Sequence, residues 1–150
     1  MELREDPPDL ARRLLSEQRV GVLASRGGRG PHLCLVAFAL VWQERTLYLA
    51  TPRSTRKFAN LHADPRASLL VDNRTNDPSD IARAAAVTVE GRVDEVAPDS
   101  RQAALDVYLE RHPHLSDFAQ APSCALLGLR LEAVEIVQSF QQVSRLSFIP

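Results

Sequence analysis

Lysine is almost missing from this chain: Lys57 stands alone beside seventeen arginines, in a total of 18 basic and 19 acidic residues. The formal net charge of -1 excludes a general electrostatic grip on nucleic acid. Cysteine is scarce too. Cys34 and Cys124 lie inside apolar runs, and no Cys-x-x-Cys or Cys/His spacing points to zinc, so both read as buried thiols acting as small hydrophobes. Long apolar runs are absent; the longest, Leu33 to Trp42, is far too short to cross a bilayer. The opening segment Met1-Glu2-Leu3-Arg4-Glu5-Asp6 is acidic and lacks the apolar core of a signal peptide, so a cytoplasmic protein is expected. No nucleophile–base pair is evident: Ser25, Ser68 and Ser123 have neither an elbow motif nor a paired histidine. No catalytic side chain and no metal ligand is therefore assigned.

What is present is the material of one domain, 150 residues with 45% hydrophobic and 25% charged content, enough for a single core over residues 1–150. Leu10, Ala11, Leu14 and Leu15 recur at helical spacing, with Asp9 as expected N-cap. Arg19 to Ser25 reads as a short strand, Gly27 to Pro31 as a hairpin turn, and His32 to Trp42, apolar on both faces, as one fully buried strand. Thr46 to Thr51 is a further strand. A helix starting near Ser54 ends at Asp64-Pro65, since proline cannot continue it. Arg66 to Asp72 is a strand. Ala85 to Val96 alternates, with a bend expected at Gly91. Asp99 to Arg111 reads as a helix with Asp99 and Gln102 as a capping box. His112-Pro113-His114 ends it, and both imidazoles are expected at the surface near the helix terminus. Cys124 to Ser139 is a strand pair or one long strand that changes phase near Ala133. Six or seven strands and three helices in so short a chain predict a small β-barrel with peripheral helices, because closure removes sheet edges.

The lone lysine falls in Thr51-Pro52-Arg53-Ser54-Thr55-Arg56-Lys57, where hydroxyls and guanidinium groups crowd a strand–helix junction. Ser54 as N-cap would leave the N–H groups of Arg56 and Lys57 at the open helix end. A phosphate there gains from the helix dipole and from charge-assisted hydrogen bonds. The plain alternative is a capped surface helix with a solvated basic first turn. That alternative carries cations at the wrong end of a helix dipole. Of the few rings, Trp42 is the best candidate to stack on a flat cofactor, while the others read as core. Gln138, Ser139, Gln141, Gln142 and Ser144 form a polar patch, either surface or reaching a partner subunit's cofactor.

The stretch Leu47-Tyr48-Leu49-Ala50-Thr51, then Ser54-Thr55-Arg56-Lys57, Asn60-Leu61 and Asp64-Pro65-Arg66-Ala67-Ser68-Leu69-Leu70-Val71 resembles the FMN-binding split-barrel family, which includes the pyridoxamine 5'-phosphate oxidases. The order of elements from about residue 10 to 140 agrees with it. The resemblance implies a mainly β split barrel that dimerises with flavin at the subunit interface. It implies that Thr51, Ser54, Arg56 and Lys57 hold the phosphate of FMN, that Ala50 sits beside the flavin through its backbone, and that the strand from Leu35 to Leu40 lines the ring. An FMN-binding oxidoreductase acting on a small substrate is the expectation. A non-catalytic flavin- or haem-binding protein, or a haem-utilisation or haem-degrading member, is the alternative, and a deazaflavin coenzyme could replace FMN. Leu35, Leu40 and Ala86 stand where the vitamin B6 oxidases carry basic residues and glutamine, which separates this chain from the oxidase proper.

Overall fold

A computed structural model describes residues 5–150; residues 1–4, the start of the acidic opening segment, lie outside the described residues. Among the described residues, eight strands form one antiparallel sheet: β1 Val20–Gly27, β2 Gly30–Ala37, β3 Ala39–Val41, β4 Thr46–Pro52, β5 Arg66–Asp72, β6 Ala86–Glu95, β7 Cys124–Gln138 and β8 Gln142–Ser147. Their order is β2-β1-β5-β6-β7-β4-β3, with β8 added to β7. The two ends of this path, β2 and β3, are consecutive in the chain and separated by Phe38 alone. The sheet therefore curls until its ends meet, giving a mainly β split barrel.

The closure explains a difference from the sequence expectation. Residues His32 to Trp42 are not one buried strand. The first half pairs with β1, from Val20↔Ala37 to Gly27↔Gly30, and the second half with β4, from Ala39↔Tyr48 to Val41↔Thr46. At the corner the Phe38 N–H donates to the Arg19 carbonyl at 3.2 Å, and the Phe38 ring is fully buried. Nor is the first half buried on both faces. Cys34 and Val36 turn inward, while Leu33 and Leu35 are 63% and 73% exposed. A run that is apolar on both faces reads as interior; here its outward half faces away from the core.

The core fills the barrel with Leu23, Leu47, Leu49, Leu69, Val89 and Leu129, each fully buried large side chain contributing on the order of 1.5–3 kcal/mol. Helix α1, Pro7–Glu17, covers it with Leu10, Ala11, Leu14 and Leu15. Its N-cap is Asp6, not Asp9, because Pro7 and Pro8 need no N–H partner in the first turn. Helix α2, Arg56–Ala63, follows β4 and stops before Asp64-Pro65 as expected. A four-residue helix α3, Asp80–Arg83, interrupts the polar loop after β5. Helix α4, Arg101–Arg111, packs Ala104, Leu105 and Tyr108 outside the barrel against Ala39, Ala50 and Leu126. No capping box forms there: Asp99 sits in a preceding 3-10 turn, Pro98–Ser100, and no side chain caps α4. Helix α5 is Ser116–Gln120. None of the described helices is long and apolar enough to cross a membrane.

The phase change in β7 is a bulge. Glu90 pairs with Ala133 but Gly91 with Leu131, so Glu132 is the extra residue. Inward positions are Leu127, Leu129 and Leu131 before it, then Val134 and Ile136. Gly91 is required opposite the bulge, because a Cβ there would collide with the Arg130 carbonyl oxygen. The polar patch at the end of β7 is a hairpin into β8, a strand the sequence did not reveal. Its tip, Ser139, Phe140 and Gln141, has φ of 48, 53 and 65°.

Candidate functional site

The split in the barrel is where a ligand could approach the backbone. The β3–β4 ladder ends at Ala39↔Tyr48, whereas β4 pairs with β7 as far as Pro52↔Cys124. Beyond Tyr48, β4 has a ladder partner on one side only. β2 and β3 are the two ends of the sheet path. Ala50 lies on this half-paired stretch, with its methyl group turned away into the α4 cluster. Its backbone has a ladder partner on one side only.

The junction from β4 to α2 is a hydroxyl network. Pro52 to Thr55 forms a turn closed by the Thr55 N–H donating to the Pro52 carbonyl at 3.2 Å. Thr55, not Ser54, is the N-cap: its Oγ1 accepts from the Phe58 N–H at 3.3 Å. The Thr55 hydroxyl donates to the Pro52 carbonyl at 2.9 Å, so the contact of 2.8 Å between the two threonine hydroxyls is donated by Thr51. Thr51, fully buried, therefore anchors the cap. Ser54 stands one residue further out, exposed, with no hydrogen bond of its own among the described residues. Two adjacent hydroxyl residues each suit an N-cap, and sequence spacing does not decide between them.

Among the cations, geometry divides the roles. Arg53 is ion-paired with Glu95 and lies over the Phe58 ring at 5.7 Å, so it is committed. Arg56 and Lys57 open α2, whose first turn holds no acidic residue, and neither has a carboxylate partner among the described residues. Arg56 is exposed and Lys57 half-buried. Burial pushes the Cys34 thiol up in pKa while the Lys57 charge pulls it down; the same opposing effect of Lys57 reaches Cys124. Lys57 is the second residue of α2. Its helix face continues through Asn60, whose Nδ2 donates to the Ser25 hydroxyl at 3.2 Å. Ala50 and Thr51 lie near the end of β4, Ser54 lies in the turn that follows, and Arg56 and Lys57 open α2. The donors left over there, two N-terminal N–H groups, a hydroxyl, a guanidinium and an ammonium, suit a phosphate group.

Trp42 is elsewhere. It lies at the β3–β4 turn, edge-on to Phe148 at 5.9 Å. The Arg45 guanidinium sits 4.5 Å from its ring and 4.3 Å from that of Phe148, so a ring face expected to stack on a cofactor is occupied. Arg45 has φ of 52°, and its Nη1 is buried without a partner.

His112, expected at the surface, is buried. It is 2% exposed, packs against Tyr108 with ring centroids 5.0 Å apart, and places Nε2 2.7 Å from the Phe38 carbonyl oxygen. That oxygen can only accept, so Nε2 carries the hydrogen. His112 therefore holds the corner where the chain changes pairing partners. Around it, Arg19 donates to the Arg111 carbonyl at 2.9 Å and Arg111 to the Gln18 carbonyl at 3.1 Å. His-Pro after a helix gives no sign of this, since it reads as a helix stop. His114 is exposed, as expected.

The sequence profile of the family described as Pyridoxamine 5'-phosphate oxidase matches residues 7–138. No curated protein matches. Among solved structures, a heme binding protein from Mycobacterium smegmatis superposes with a TM-score of 0.86 at 22% identity, over 97% of this chain and 60% of that one. A FAD-binding protein from Mesorhizobium loti gives 0.68 at 20% identity, over 85% and 91%. Campylobacter jejuni ChuZ gives 0.80 at 10% identity, over 94% and 59%. The chain thus spans about three fifths of the Mycobacterium smegmatis protein. At these identities the likeness establishes the fold.

Proposed function

Because the chain belongs to the pyridoxamine 5'-phosphate oxidase-like split-barrel family, we propose that it is an FMN-binding oxidoreductase that works as a cytoplasmic homodimer on a small substrate. One observation carries the reading: Arg56 and Lys57 open α2 with no carboxylate among the described residues to neutralise them, while Arg53 beside them has Glu95. A cationic first turn opposes the helix dipole unless an anion sits there.

In this reading Arg56, Lys57, the Ser54 hydroxyl and the free α2 N–H groups hold the phosphate. Thr51 and Thr55 fix the cap that aims those donors. The unpaired side of β4 at Ala50 offers backbone to the ring edge. A bound flavin would supply the hydride or electron transfer. No side chain of the site need act as acid or base.

The site of one chain is open, and a partner would complete it. The outward face of β2, β1 and β5 carries Leu35 at 73%, Leu33 at 63%, Val20 at 49% and Leu70 at 37% exposure. These are neighbours in register through Val22↔Leu35, Ala24↔Leu33 and Val22↔Leu70. A contiguous apolar face of this kind marks a protein contact, and a second copy is its proposed occupant.

The test is the absorption spectrum of the purified protein, followed by FMN titration. Tight FMN binding is expected, weakened by on the order of 2–4 kcal/mol in Arg56→Ala/Lys57→Ala through loss of charged hydrogen bonds. Colourless protein that gives no binding with added FMN or a deazaflavin coenzyme refutes the reading. The alternative is haem binding, storage or degradation on the same barrel. It is favoured by the structural likeness to a heme binding protein, and a Soret band in place of flavin absorption would select it.

A further inference from the structure

On the outward face of the sheet, away from the α2 junction, a trough of about 580 Å³ crosses β1, β5, β6, β7 and β8. Its floor follows one row in register: Ala24↔Ser68, Ser68↔Glu90, Glu90↔Ala133 and Ala133↔Ser147. Four of those five outward positions carry alanine or serine. Small side chains between bulkier neighbours are what hollow the sheet surface here.

The next row along is made of arginines. Arg66 lies directly opposite Arg92, and Arg26 follows the Ser25↔Ala67 pair on β1. All three line the trough. Like charges facing each other across strands are unfavourable, and the carboxylates at hand do not balance them. Asp64 is shared, 2.8 Å from Arg66 and 3.9 Å from Arg26. Glu132, the bulged residue, takes Arg92 at 3.2 Å. Glu90 is held by Arg145, at 2.7 and 3.1 Å, and contributes nothing to the row. Three guanidinium groups thus share two carboxylates, and each retains N–H donors. Pro31, the register partner of Arg26, together with Ala133 and Ile149 supplies apolar lining.

We propose that this trough binds an amphipathic organic anion, its acidic head on Arg66 and Arg92 and its apolar body along Ala24, Ser68 and Ala133. Its volume lies within the range of small-molecule sites, and planar guanidinium groups suit carboxylate or phosphate heads. The site is separate from the α2 junction and stands whether or not a flavin binds there.

The experiment is a fluorescence titration of the full chain with anilinonaphthalene sulfonate and with phenylnaphthylamine, which differ only in the sulfonate. The sulfonate should bind at one site per chain, at least tenfold tighter than the neutral probe. Arg66→Gln/Arg92→Gln should weaken the sulfonate at least tenfold and leave the neutral probe unchanged; both positions are exposed, so the fold is kept. Ser68→Phe, which fills the floor, should weaken both. Decanoate or decyl phosphate should displace the sulfonate where decanol does not, and which of the two competes better identifies the preferred head. Equal binding of the two probes, or unchanged sulfonate affinity in the double arginine variant, overturns the proposal. So does loss of binding in Leu33→Ser/Leu35→Ser alone, which would put the probe at the proposed subunit contact and not in the trough of one chain.

Discussion

Removing His112 tests the corner that closes the barrel. His112→Ala deletes a buried ring that packs on Tyr108 and strips the Phe38 carbonyl of its donor at 2.7 Å. An unpaired buried carbonyl costs about 1–3 kcal/mol, and the space left by a large side chain adds a comparable amount, so a loss of about 3–5 kcal/mol is expected. That is a large share of a total stability on the order of 5–15 kcal/mol. The pH dependence supplies a second, independent readout. Burial holds the imidazole below its ordinary value of 6.5; the bond to Phe38 opposes this, and Arg111, His114 and Arg19 add to it. The folded state therefore keeps His112 neutral where the unfolded chain already takes up a proton. The contribution is complete above 6.5 and is lost as pH falls through that value toward the lower folded one. Asp64, held at about 2 by its hydrogen bonds to Arg66, loses its own contribution only at far lower pH. Urea denaturation followed by circular dichroism should show wild-type stability declining as pH drops below 6.5. His112→Gln, which can keep an N–H toward Phe38, should lack that decline. Identical slopes in the two proteins, or an alanine variant within about 0.5 kcal/mol of wild type, as for an ordinary surface change, would refute the reasoning.

Gly91→Ala should destabilise by at least about 1–3 kcal/mol, because its Cβ meets backbone that cannot swing aside; Gly28→Ala, with open space around it, is the control in the same denaturation series. Arg53→Ala should leave FMN affinity nearly unchanged, unlike the Arg56→Ala/Lys57→Ala pair, since Arg53 is already engaged by Glu95; titration decides. Leu33→Ser/Leu35→Ser should shift sedimentation from dimer to monomer while the folded spectrum persists, and an unaltered sedimentation coefficient would place the subunit contact elsewhere.

Local rules were readable where they met no competition. The leucines of α1, the Asp64-Pro65 stop, the bend at Gly91 and the phase change near Ala133 all follow from periodicity or from the chemistry of proline and glycine. The junction at Arg56 and Lys57 was visible as an unusual crowding of charge and hydroxyls. Three features were hidden because they depend on tertiary partners. Leu33 and Leu35 read as interior, although periodicity cannot tell a core from an apolar face left exposed. His112 read as exposed because nothing local reveals that Phe38, far away in sequence, needs a donor. The hairpin into β8 was hidden by polar residues, since a strand added at a sheet edge needs no apolar face. The hydroxyl of Thr51 read as a phosphate ligand, and its commitment to Thr55 is decided only by the fold of the turn.

The sandwich of Arg45 between Trp42 and Phe148 gives the molecule a native optical probe. Trp42 is the sole indole of the chain, so its emission arises from one corner, where the 3-10 turn after β3 meets the final residues. Detachment of Phe148 would hydrate that indole and shift its colour, allowing fraying of the carboxyl-terminal end to be followed without a label.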